Sequence, residues 1–158
     1  MSWQTCGPAL DRAGAWASWQ RNGPALDRAS AIKVDAMDSV YELYRRGCDL
    51  LEHGDYQAAI VPLTRVRELE PTKASIREAL GRALFHAQRY ERAAAEFQMV
   101  ATIAPTNDYA LFCLGRSMQL LGRHREACRP LAVACSLRPG REDYRVYRDR
   151  ARRDAAMP

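Results

Sequence analysis

The sequence lacks any apolar run approaching the ~20 residues that span a bilayer, so no transmembrane helix is expected. Its first residues, MSWQTCGPALDRAG, hold neither the basic nor the apolar region of a secretory signal. Glycine-rich phosphate loops are missing: "RPGRED" at 138–143 follows a helical stretch rather than opening one. Cysteine is scarce and unpatterned. Cys6, Cys48, Cys113, Cys128 and Cys135 make an odd number with no CxxC spacing, which argues against a disulfide framework or zinc site. A reducing cytoplasm is the natural setting for such a chain. Lysine is nearly absent, 2 against 22 arginines, a bias that together with abundant alanine points to a GC-rich bacterial genome.

What is present supports one folded domain. The 158 residues are 47% hydrophobic, enough for a real core, and 27% charged, which suits a soluble surface. The net charge of +5 is uneven. Residues 1–39 balance, with Arg12, Arg21, Arg28 and Lys33 against Asp11, Asp27, Asp35 and Asp38. The excess lies beyond them, and "REDYRVYRDRARRD" at 141–154 is the most arginine-dense stretch. Two readings of it stand. It touches RNA or an acidic partner, or it is a solvated helix whose arginines pair with the four interleaved acids.

Two periods run through the chain. The first is a sixteen-residue duplication, in which GPALDRA at 7–13 returns at 23–29 and no third copy follows. The second governs the rest. Gly47, Gly81 and Gly115 are 34 apart, as are Ala59, Ala93 and Ala127, and Pro71, Pro105 and Pro139. Leu63/Phe97/Leu131 and Leu69/Ile103/Leu137 keep the same register. Each unit divides into two helical stretches. In the second unit Ile76, Leu80 and Leu84 recur at helical spacing, as do Ala93, Phe97 and Val100 after a break near Gln88–Arg89. A proline two residues past the last apolar position closes each second helix. Glycine inside a helix costs about 1 kcal/mol against alanine. Three such costs at one register imply a neighbouring helix too close for a Cβ, with the small Ala59, Ala93 and Ala127 on its far side.

This period and the pattern Leu/Gly/Leu … Tyr … Ala … Phe … Pro resemble the tetratricopeptide repeat over residues 40–141. Departures occur: the first large apolar position reads Leu43, Arg77 and Leu111, and Pro62 and Pro130 fall inside second helices. Each proline removes a backbone hydrogen bond and should bend or loosen the helix start. The resemblance implies an all-α, three-repeat helical solenoid, with units at 40–73, 74–107 and 108–141. A capping helix over 141–158 is expected, with Tyr144, Tyr147 and Ala151 as its apolar stripe. Residues 1–38 form an N-terminal extension, helical or partly disordered. Its Trp3, Trp16 and Trp19 offer a route to self-association or to docking in the chain's own groove.

The resemblance further implies that first helices line a concave groove for a protein or peptide client. The groove positions are Tyr41, Tyr44, Arg45, Cys48 and Leu51 in repeat one. Repeat two supplies Ser75, Glu78, Arg82, Phe85 and His86; repeat three supplies Tyr109, Phe112, Arg116 and Gln119. Tyrosine and arginine are the currency of interaction hot spots, although Tyr41, Tyr44 and Phe112 equally suit packing between adjacent first helices. The arginines are expected to stand in solvent and to pair with an acidic, partly apolar client. Relatives that grip a C-terminal carboxylate use Lys and Asn at these positions; none stands there in this chain. His53, His86 and His124 occupy three different registers and no histidine is placed to activate Cys48 or Cys113, so no metal, cofactor or catalysis is expected. Nucleic acid is the less favoured partner.

Overall fold

The computed structural model describes residues 39–157, and the readings made above for the N-terminal duplication and its tryptophans lie outside them. Seven α-helices follow one another: α1 (Val40–Glu52), α2 (Tyr56–Leu69), α3 (Ala74–His86), α4 (Tyr90–Ile103), α5 (Asp108–Leu120), α6 (His124–Leu137) and α7 (Glu142–Ala156). The starts of α1, α3, α5 and α7 are each 34 residues apart, and so are those of α2, α4 and α6. The helices stack in chain order, each on its neighbours in sequence, and first helices also meet in α1 with α3 and α5 with α7. The result is a solenoid of helix pairs.

Local chemistry sets the helix ends. Ser39 and Glu42 close a capping box at α1, each side chain bonded to the other's backbone N–H at 2.9 and 3.2 Å. Asn107 caps α5 by accepting from Ala110 N at 2.9 Å. Inside each repeat the turn between helices needs one left-handed residue. Gly54 and Gly122 supply it with φ of 82° and 75°, while repeat two places Gln88 there at φ 60°.

The repeated apolar columns form the core. Ala59, Leu63, Ile76, Leu80, Ala93, Phe97, Ala127 and Leu131 are fully buried. The glycines do mark a close approach, but the partner is not the alanine column. A Cβ on Gly47 would fall 2.5 Å from Leu63 Cγ, one on Gly81 would meet the Phe97 ring at 3.0 Å, and one on Gly115 would collide with Leu131. The large residue of the facing second helix thus fills the space that the glycine leaves. Pro62 and Pro130 are buried seven residues into their helices, and α2 and α6 keep the same 14-residue span as α4, which has none. Packing on both sides holds these helices together despite the missing N–H.

At the proline column repeat two carries Glu96, and at the first apolar column it carries Arg77. The two changes answer each other. Arg77 Nη1 donates to Glu96 Oε2 at 2.7 Å, its Nε donates to the Pro71 carbonyl at 2.7 Å, and Arg67 lies 3.5 Å from the other carboxylate oxygen. An ion pair in repeat two therefore stands at the positions held by Leu43 and Pro62 in repeat one and by Leu111 and Pro130 in repeat three.

The seventh helix repeats the first-helix register once more. Tyr144 aligns with Ala110 and Ile76, and Ala151 with Ser117 and Ala83; all six are fully buried. Where α3 and α5 turn Leu80/Leu114, Gly81/Gly115 and Leu84/Met118 toward their second helices, α7 carries Arg148, Asp149 and Arg152. One side of α7 thus covers the last pair and the other is polar, which makes it the capping helix of the solenoid.

Candidate functional site

The face shared by the first helices is built from columns three and four residues apart on each helix, so their side chains project together. At its centre stands Arg82 of α3. Its charge acts on Tyr44 and Cys48 of α1, on Glu78 and His86 of its own helix, and on Tyr109 of α5. Its Nε is buried, and among the described residues no hydrogen-bond acceptor reaches it. Tyr44 and Tyr109 flank it from either side. Each tyrosine hydroxyl is hydrogen-bonded to the cysteine one turn on, Tyr44 with Cys48 and Tyr109 with Cys113. Burial, reinforced by these cysteines, pushes both phenols well above the usual tyrosine range.

Glu78 lies beside Arg82 and receives a hydrogen bond from Asn107 Nδ2 at 2.7 Å. Burial raises its carboxyl above the ordinary range, and the Asn107 bond and the Arg82 charge oppose that rise. Burial and the Arg82 charge lower His86. Tyr56 stacks on the His86 ring with centroids 4.5 Å apart, and Phe85 meets Tyr90 edge-on at 5.6 Å. The centre of the face is therefore a shielded cation and a partly desolvated acid between two tyrosines.

The expected site residues divide into three groups. Tyr41, Tyr44, Cys48, Glu78, Arg82, Phe85 and Tyr109 are half-buried on this face. Arg45 falls off it: its register mates Ala79 and Cys113 are buried, and Arg45 itself is exposed 3.9 Å from Asp49. Phe112, Arg116 and Gln119 lie beneath α7, which corrects the expectation that Arg116 stands in solvent. Arg116 is 3% exposed, with its guanidinium 3.9 Å over the Tyr147 ring and 2.7 Å from Gln119 Oε1. Gln119 Nε2 in turn donates to the Tyr147 carbonyl at 3.0 Å, and Phe112 stacks on Tyr144 at 4.4 Å. These three residues bind the cap. A fourth helix in the same register must bury the same columns of α5, and this consequence of the Tyr144/Tyr147 stripe overrides the groove assignment.

Asn107 was not among the expected residues, because it precedes the helix rather than lying on it. Its signal is the cap position: Ser39, Lys73, Asn107 and Arg141 all stand one residue before a first helix. Among the described residues, no three His, Cys, Asp or Glu side chains converge on a metal-sized site, and no helix is long and apolar enough to cross a membrane.

Comparison with known proteins agrees with this geometry. A tetratricopeptide-repeat family model matches residues 44–108. The mouse Superkiller complex protein 3 is 26% identical over 112 residues, which cover 71% of this chain and 7% of that protein's length. The first tetratricopeptide domain of Spaghetti (RPAP3), solved with the HSP90 peptide SRMEEVD, superposes with a TM-score of 0.70 at 17% identity, covering 77% of this chain and 98% of that one. MamA from MSR-1 superposes with a TM-score of 0.71 at 24% identity, covering 78% of this chain and 70% of that one. Residues 44–108 match the tetratricopeptide-repeat family model, and the 34-residue period and the stacked helix pairs carry that repeat fold through α1 to α7.

Proposed function

We propose that this chain is a non-catalytic protein-interaction module, and that the face of α1, α3 and α5 around Arg82 receives a peptide segment bearing acidic and apolar side chains. The observation that carries this reading is the buried Arg82 Nε without an acceptor, flanked by Tyr44 and Tyr109. A desolvated guanidinium gains most from a carboxylate that presents two oxygens in its plane. The tyrosine rings and Phe85 supply apolar area beside it. A structural neighbour of this fold holds an acidic peptide, which supports an extended acidic client here. Three of the six arginines of the C-terminal stretch, Arg141, Arg148 and Arg150, each pair with an aspartate of that stretch, which weakens nucleic acid as the alternative.

Titration of the full chain with labelled SRMEEVD, and with a version carrying Gln for both Glu and Asn for Asp, tests this directly. The acidic peptide is expected to bind and the neutral one to bind far more weakly. Arg82→Glu should abolish binding with helicity kept. A charge-assisted pair shielded from water contributes roughly 1.5–3 kcal/mol. Equal affinity for both peptides, unchanged by Arg82→Glu, would remove the site from this face.

A further inference from the structure

One side of α7 carries arginine at the columns where α5 carries apolar groups. Arg145 aligns with Leu111, Arg148 with Leu114, and Arg152 with Met118. In α5 this side lies against its own second helix, since Gly115 at its centre faces Leu131 of α6. Arg145 and Arg152 are exposed and make no hydrogen bond or ion pair through their side chains among the described residues; Arg148 pairs with its neighbour Asp149 at 2.8 Å. The Cys135 thiol of α6, pushed up by burial and by the Asp149 charge, feels the opposing charges of Arg148, Arg145 and Arg152.

We propose that this stripe is a second docking surface, which takes an acidic amphipathic helix of another protein laid where a second helix would pack on α7. Spacings of three and four residues put the guanidinium groups on one line over about 10 Å of helix. A helix with carboxylates at i, i+3 or i+4, and i+7 presents a matching line. Charge selects the occupant. The second helices α2, α4 and α6 are not acidic-faced, and residues 1–39 carry no net negative charge, so a strongly acidic helix of another protein complements the stripe better than either. This surface is separate from the face around Arg82.

The test uses the full chain and a fluorescent 14-residue alanine-rich helical peptide with three glutamates on one face. Its controls are a peptide of identical composition with the glutamates scattered round the helix, and a single-stranded oligonucleotide of equal charge. The one-faced peptide is expected to bind at least tenfold more tightly than the scattered one. Arg145→Gln with Arg152→Gln, which removes only groups without fold partners, should abolish that preference with the circular dichroism spectrum and Tm unchanged. Arg82→Glu should leave it intact, which separates this surface from the first. Equal binding of both peptides, retention of the preference in the double variant, or tighter binding of the oligonucleotide than of the one-faced peptide would each overturn the proposal.

Discussion

Single residues here carry costs that their register mates avoid. Gln88 holds the left-handed turn that Gly54 and Gly122 hold elsewhere, and a Cβ at either glycine would touch nothing within 4 Å. The cost at Gln88 is therefore backbone strain alone, and Gln88→Gly should stabilise the fold by about 0.5–1 kcal/mol, read as a higher denaturant midpoint. The glycines inside helices behave oppositely. Gly115→Ala drives a methyl into Leu131 and should cost about 1–3 kcal/mol. At Gly81 the flat Phe97 ring leaves 3.0–3.2 Å, and the helix-propensity gain of about 1 kcal/mol should bring Gly81→Ala close to neutral in the same assay. Glu78 adds a pH signature. Its raised folded value means that the folded state keeps the proton longer than the unfolded one, so its contribution is greatest at low pH and is lost as pH rises through that value. Glu78→Gln removes this slope and keeps an acceptor for Asn107. The Tm difference, variant minus wild type, should grow as pH rises above the ordinary glutamate range of about 4.

Among elements, repeat two differs from its neighbours by one compensated exchange. Arg77 and Glu96 have side chains 12% and 13% exposed, so breaking their pair strands a largely desolvated charge. Arg77→Leu alone should destabilise by about 3 kcal/mol, softened by Arg67, whereas Arg77→Leu with Glu96→Leu should recover most of the loss. Equilibrium denaturation of the two single variants and the double variant closes the cycle. This pair also marks how far sequence reading reaches. Helix positions, the pairwise stack and the buried columns were legible, because apolar spacing and proline stops are local signals repeated three times. The complementarity of Arg77 with Glu96, the Gly–Leu63 fit and the Asn107 bridge were not, because each joins positions far apart in sequence whose meaning appears only once two helices face each other. The same limit hid Phe112, Arg116 and Gln119 beneath α7: their own helix allowed a groove, and only the packing of the next one decided against it.

At the level of the molecule, the stack depends on how it stops. Tyr144 is fully buried, stacks on Phe112, and donates its hydroxyl to Asp108 Oδ2 at 3.0 Å. Tyr144→Ala should cost about 3–5 kcal/mol, by analogy with other large aromatic truncations, and thermal unfolding with light scattering should show a lower midpoint and earlier aggregation. Truncation before Glu142 should do the same more severely, since it uncovers Phe112 as well.

Packing that runs between consecutive helices also bears on time. Because every substantial interface among the described helices joins segments close together along the chain, little loop-closure entropy is spent before contacts form, and the solenoid folds fast for its length. No single distant contact has to be found first. Any adjacent pair can act as a seed from which order spreads one helix at a time, and the reverse path lets an end open while the middle stays closed. Amide exchange should therefore grade along the helices rather than vanish at one common rate. Arg77, Glu96 and the fully buried Ile76, Leu80, Phe97 and Val100 place the slowest-exchanging region in the second repeat, the repeat whose central arginine we assign to the client.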